Sequence, residues 1–127
     1  MNEKKKRILV VDDDVTILRV FKNILEKEGY IVETVNTGKA AVERIKKEKF
    51  NVCLIDVKLP DMDGTELLLK LVNKPETIKI IVTGFSSDEV GKKAADYGAD
   101  DFLVKPVKPE ELIATVRERL VTKQSEK

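Results

Sequence analysis

At 127 residues, 42% hydrophobic and 37% charged, the chain has the length for one domain with a real core and the composition of a globular protein, not a disordered one. Its 24 basic side chains against 23 acidic ones leave a formal charge of +1, which argues against the basic excess of an electrostatic nucleic-acid grip. The absence of histidine excludes His metal sites and His-based catalysis, and a single cysteine excludes an intrachain disulfide or structural zinc site.

In chain order, Lys4, Lys5, Lys6 and Arg7 read as a solvated lead-in. The apolar run Ile8–Val11 is the first strand, and it ends at Asp12, Asp13 and Asp14. It is too short for a signal peptide or for a membrane span of about 20 residues, so the expected compartment is the cytoplasm. Ile17, Leu18, Phe21, Ile24 and Leu25 recur at helical spacing, with Asp14 suited to cap that helix and Gly29 to stop it. Ile31–Val35, the second strand, alternates with polar residues as an edge strand does. Ala40, Ala41, Val42 and Ile45 mark the second helix. Val52–Ile55 is the third strand, in which Cys53 reads as a small buried hydrophobe. Leu67, Leu68, Leu71 and Val72 mark the third helix, and Ile78–Val82 the fourth strand. A helix over residues 88–97 is expected to be the least firmly held. Gly91 in its middle costs about 1 kcal/mol relative to Ala, and its apolar face is only Val90, Ala94 and Ala95. Phe102–Val104 is the fifth strand. Pro109 opens a last helix striped by Leu112, Ile113, Val116 and Leu120. Residues 1–122 thus form one domain, and Lys123–Lys127 reads as a frayed polar tail.

Strands and helices alternating five times predict a parallel sheet covered on both faces. The nearly all-apolar first and third runs suit central strands, and right-handed crossovers favour the order 2-1-3-4-5. In such a sheet, ligands gather at the carboxyl ends of the strands beside the point where the order reverses. There the chain places Asp12 and Asp13, then Asp56, then Thr83-Gly84, then Lys105-Pro106. Clustered carboxylates repel one another unless they share a cation. Mg²⁺ suits a site with few protein ligands, because it keeps several waters and accepts a phosphate oxygen. Beside it an ionised Asp56 can act as a nucleophile toward phosphorus and form an acyl phosphate. Lys105 and the Thr83 hydroxyl supply the positioning and charge neutralisation on which phosphoryl transfer depends. Singly, each residue has a plainer role as turn, loop cap, strand threonine or solvated lysine. Convergence of all four strand ends on one rim is what makes the signal.

The pattern Ile8-Leu-Val-Val-Asp12-Asp13, then Leu54-Ile-Asp56 with Pro60 and Asp63-Gly64 after it, then Val82-Thr83-Gly84, then Phe102-Leu-Val-Lys105-Pro106, resembles the receiver domain of two-component response regulators. The resemblance runs from about Lys6 to about Leu120. It implies a flavodoxin-like (βα)5 fold whose 2-1-3-4-5 order is already known for the chemotaxis member of that family. It further implies that Asp56 is the phosphoacceptor and that Asp13, Asp12, Asp56 and the backbone carbonyl of Lys58 hold Mg²⁺. Lys105, joined to Pro106 by a cis bond, would pair with the phosphoryl group. Thr83 and Phe102 would be the switch pair, the ring turning inward, although Phe102 lacks the hydroxyl of the Tyr often found there. Lys58 and Phe85 would tune the lifetime of the phosphate.

The implied partners are a sensor histidine kinase or phosphotransfer domain upstream and an effector or output domain downstream, with no direct nucleic acid and no membrane. The chain would catalyse only its own phosphorylation and dephosphorylation. It would signal through the fourth helix, fifth strand and fifth helix, as a monomer or a phosphorylation-dependent homodimer. Tyr97, Asp100, Asp101 and Arg117 are candidates for cross-subunit contacts there. A competing reading is a haloacid-dehalogenase-type phosphatase, since Asp12-Asp13-Asp14-Val15-Thr16 fits Asp-x-Asp-x-Thr. That would make Asp12 the nucleophile, but Lys105 follows the Asp100-Asp101 pair instead of preceding it. A receiver-like scaffold without phosphorylation is the other alternative.

Overall fold

The computed structural model describes residues 4–85 and 87–125. Five strands alternate with five helices: β1 (Arg7–Val11), α1 (Val15–Lys27), β2 (Ile31–Val35), α2 (Gly38–Lys47), β3 (Val52–Ile55), α3 (Glu66–Lys70), β4 (Ile78–Thr83), α4 (Asp88–Asp96), β5 (Asp101–Val104) and α5 (Pro109–Ser125). All strand pairs are parallel and their order is β2-β1-β3-β4-β5, as predicted. Strand alternation divides the apolar residues between two cores. Ile8, Val10, Leu54 and Ile80 face α1 and α5, where they meet Phe21, Leu112 and Val116. Leu9, Val11, Ile55 and Ile81 face the other layer and meet Ala41, Leu67 and Ala94. Each fully buried Leu or Ile contributes roughly 1.5–3 kcal/mol relative to exposure, so the sheet is a stiff platform for its rim.

Register sets that rim. Val11 aligns with Ile55, and Ile55 with Ile81, so Asp12 and Asp56 lie level, one residue beyond the same rung. Thr83 aligns with Val104, which puts Lys105 one residue past it.

Local chemistry explains most boundaries. The Asp14 carboxylate accepts from the backbone N–H groups of Thr16 and Ile17, capping α1, and Gly29 at φ 96° lets the chain turn after it. Ser87 caps α4 through the Val90 N–H. The third helix is shorter than its apolar spacing suggested. It is five residues long, and Val72 lies outside it, 74% exposed. The bonds around it close i to i+3 (Leu67 to Gly64, Leu68 to Thr65, Leu71 to Leu68), and Pro75 disfavours helix at Lys74.

Two further expectations need correction. Arg7 is no solvated lead-in but the first residue of β1. It pairs with Glu33 and Glu48, which Arg44 also holds, tying β1, β2 and α2 together. Lys123 to Ser125 are not a frayed tail, because α5 continues through Ser125 and the Lys123 ammonium donates to the Pro75 carbonyl. Residues 126 and 127 lie outside the described residues. The residues expected to make cross-subunit contacts have these neighbours within the chain. Asp101 pairs with Arg119, Arg117 reaches Glu28 beyond α1, Asp100 accepts from the Lys79 N–H, and Tyr97 packs on the second core. Among the described residues, no helix is long and apolar enough to cross a membrane.

Candidate functional site

The site begins where the apolar strands run out. One residue beyond Val11, Asp12 is still 2% exposed, and Asp56 beyond Ile55 is 6% exposed. Asp13 points to solvent, as the next residue along an alternating chain should. Carboxylate oxygens of Asp12, Asp13 and Asp56 lie within 4.8 Å of one another. Two buried acids at that separation require compensation. The Lys105 ammonium provides part of it, donating to Asp12 Oδ2 at 2.6 Å and to Asp56 Oδ2 at 3.1 Å. The Asp14 N–H adds a bond to Asp12 Oδ1 at 2.9 Å.

The compensation is incomplete for Asp12. Burial pushes its carboxyl above the ordinary carboxylate value despite Lys105 and the Asp14 N–H, and the Asp56 charge adds to the rise. Burial alone would lower the Lys105 ammonium, but the bonds and charges of Asp12 and Asp56 prevail and raise it. Three hard oxygen donors whose shared charge is only partly balanced suit a small divalent cation. The residues present therefore fit a metal of the Mg²⁺ class.

The segment after β3 frames this cluster. Lys58 N donates to Asp56 Oδ1 at 3.4 Å, so the Lys58 peptide lies alongside the carboxylate. Lys58 bridges Asp63 in antiparallel fashion, and the Gly64 N–H donates to the Val57 carbonyl at 2.6 Å, closing residues 57–64 into a tight loop. Gly64 is obligatory here, since a Cβ would overlap the Asp56 carbonyl oxygen. The Lys58 ammonium sits 3.9 Å from the centroid of the Phe85 ring, across a groove of about 390 Å³ that Asp13, Pro60 and Met62 also line.

On the β4–β5 side, Thr83 is 1% exposed and its hydroxyl accepts from the Phe85 N–H at 3.0 Å. In this conformation the hydroxyl caps its own loop. Phe102 is half-buried against the second core, beside the small residues Gly91, Ala94 and Ala95 of α4. The Lys105–Pro106 bond is cis, as the resemblance implied. Of the residues singled out from sequence, the structure brings Asp12, Asp13, Asp56, Lys58 and Lys105 together, while Thr83 and Phe102 stand behind them along β4 and β5.

Sequence reasoning missed two supporting acids. Asp61 accepts from the Gly38 and Lys39 N–H groups at 2.8 and 2.9 Å, capping α2 from a distant loop. Those two bonds hold its carboxyl below the ordinary value. Asp63, noted only as part of a motif, accepts from the Thr65 N–H and hydroxyl at 2.9 and 2.7 Å and from Lys93 at 3.1 Å. The spacing Asp63-x-Thr65 signals the first of these roles, but nothing local points to Lys93 or to the α2 cap.

Comparison with known proteins agrees with this geometry. Residues 8–117 match the family model described as the response regulator receiver domain. The chain is 36% identical over 124 residues to the alginate biosynthesis transcriptional regulatory protein AlgB of Pseudomonas aeruginosa, covering 97% of this chain but 28% of that protein. The chain therefore spans little more than a quarter of that relative. The crystal structure of a CheY-like response regulator receiver domain protein from Methanospirillum hungatei superposes with a TM-score of 0.95 at 45% identity, covering 98% of this chain and 100% of the other. A response regulator from Burkholderia pseudomallei, whose structure contains a phosphorylated aspartic acid, a calcium ion and citrate, superposes with a TM-score of 0.84 at 28% identity, covering 96% of this chain and 72% of that one.

Proposed function

The chain belongs to the response regulator receiver domain family, and from that premise we propose that it is a switch set by phosphorylation of Asp56. The observation that carries this reading is the rim cluster itself: Asp12, Asp13 and Asp56 with mutually close oxygens and Lys105 bridging two of them. Asp12, Asp13, Asp56 and the Lys58 carbonyl would hold Mg²⁺, whose contribution is to neutralise charge on the phosphoryl oxygens. The Asp56 carboxylate attacks phosphorus as the phosphorus–nitrogen bond of a phosphohistidine breaks, or the phosphorus–oxygen bond of an acyl phosphate. The bonding electron pair leaves with the donor. Lys105 then exchanges its bond to Asp56 for one to the new phosphoryl group, which carries roughly −1.5 to −2 charge.

Such a charge moves the molecule only if two conformers bind it differently. The Thr83 hydroxyl supplies a difference: here its oxygen accepts from the Phe85 N–H, and its own proton would turn toward the phosphoryl group. Movement of the hydroxyl toward that group would free space for the half-buried Phe102 ring behind it. The readout surface is α4, β5 and α5, where α4 buries only Ala94 fully. The upstream partner is a sensor histidine kinase or phosphotransfer domain, and the downstream partner an effector or output domain. The likeness to a regulator more than three times as long and the aspartyl phosphate of the Burkholderia relative support this assignment. The place of action is the cytoplasm.

Intact-protein mass after incubation with acetyl phosphate and Mg²⁺ tests the reading. One added phosphoryl group (about 80 Da, acid-stable and hydroxylamine-labile, as an acyl phosphate is) is expected in the wild type and absent in Asp56→Asn. An adduct that survives in Asp56→Asn and vanishes in Asp12→Asn would point instead to Asp12 as nucleophile. No adduct under any condition would leave a scaffold.

A further inference from the structure

Lys93, on the face of α4 turned toward α3, makes the polar contacts of that helix with the phosphoacceptor side of the molecule. Its ammonium lies 3.1 Å from Asp63 Oδ2 and 3.9 Å from Glu66 Oε2, and 5.6 Å from the ring of Tyr97 one turn further along its own helix. Asp63 is fixed before Lys93 arrives, because its other oxygen takes both Thr65 donors and its backbone bridges Lys58. The loop that carries it closes over the Asp56 carbonyl through Gly64. Asp63 is therefore joined at one end to the peptide of Lys58 and at the other to α4.

We infer that Lys93 is a positioning residue that couples α4 to the phosphoacceptor loop through Asp63 and Glu66, a second link beside the one running along Thr83 and Phe102. Half-exposed ion pairs are ordinarily worth little, because ordering two long side chains offsets the attraction. Two features raise the value here. Asp63 is already ordered, so in that pair only Lys93 loses freedom. The apolar hold on α4 is slight, with Ala94 fully buried and Val90 and Tyr97 partly so, so a small polar contribution is a large share of the whole. Coupling is reciprocal: whatever tightens residues 57–64 steadies α4, and a partner that shifts α4 alters the loop presenting the Lys58 carbonyl.

Amide hydrogen exchange by mass spectrometry on the full chain tests this, with wild type, Lys93→Gln and Lys93→Arg compared in metal-free buffer and with Mg²⁺ plus beryllofluoride. In the metal-free protein Lys93→Gln is expected to speed exchange of both α4 and residues 57–64 by about threefold, the scale of one half-exposed ion pair. Lys93→Arg restores both. Faster exchange in α4 alone, or in neither segment, overturns the coupling. The inference rests on the receiver reading only for its meaning in signalling. If beryllofluoride with Mg²⁺ leaves the wild type unprotected, that reading fails, while the metal-free comparison still decides the role of Lys93.

Discussion

Lys58 and Phe85 face each other across the mouth of the site, the ammonium 3.9 Å from the ring centroid. The ring is 53% exposed, so it is not held there by burial; on the phosphorylation reading proposed above it would stand in the path of water to Asp56. A cation over an aromatic face adds a modest attraction, about 0.5–1 kcal/mol at exposed sites, which keeps both side chains over the groove. Replacing the ring by a carboxylate removes the cover and offers an acceptor for an attacking water. Phe85→Glu is expected to hydrolyse the phosphoryl group about tenfold faster, a barrier change of about 1.4 kcal/mol. The decay of the phosphorylated mass signal measures it, and an unchanged rate would remove Phe85 from any role in phosphate lifetime.

At the scale of elements, two glycines separate a close approach from a simple weakness. Gly64 lets the loop after β3 cross the Asp56 backbone, and no Cβ can be accommodated there. Gly64→Ala is expected to cost about 2–3 kcal/mol, as overpacking against backbone does, and to weaken Mg²⁺ binding by displacing the Lys58 peptide. Gly91 in α4 has open space around its Cβ position, so Gly91→Ala should stabilise by roughly 0.5–1 kcal/mol through helix propensity. Urea denaturation of the two variants distinguishes the cases by sign. If Gly64→Ala proved neutral, the loop would be far more yielding than its hydrogen bonds imply.

For the molecule as a whole, the site is a cost that the two cores carry. Asp12 titrates above its ordinary value in the folded state, so its contribution to stability is fully present below the ordinary carboxylate value and is lost as pH rises through the raised one. At neutral pH its buried charge burdens the fold. Lys105 acts at the other end: the stability it adds is intact below 10.5 and is lost as pH rises through its raised value. Asp12→Asn is therefore expected to stabilise the metal-free protein at neutral pH by about 1 kcal/mol, or about 4 °C in Tm. Its alkaline loss should begin earlier, because Lys105 then keeps only Asp56 as an anionic partner. Mg²⁺ should raise the Tm of the wild type and have little effect on the variant. Thermal melts across pH with and without Mg²⁺ measure all three, and a less stable Asp12→Asn protein would contradict the account.

By itself the sequence determined the βα alternation and the residues on the rim, and together with the family resemblance it pointed to the strand order. Those properties follow from local pattern: β-branched runs of strand length, Asp14 and Gly29 at helix ends, and a rule of topology that sends strand ends to a single edge. It also showed which helix would be thin, since Val90 and Ala94 have little area to bury. Tertiary structure decided what local pattern cannot carry. The five-residue α3, the Asp61 cap on α2, the Arg7–Glu33–Arg44–Glu48 network and the Lys93–Asp63 link all depend on partners far apart in the chain or on backbone closure. Register, not composition, set Asp12 level with Asp56 and brought Lys105 between them. A carboxylate at a strand end is only a polar terminus until the sheet aligns a second one beside it, and then the repulsion between them makes a site.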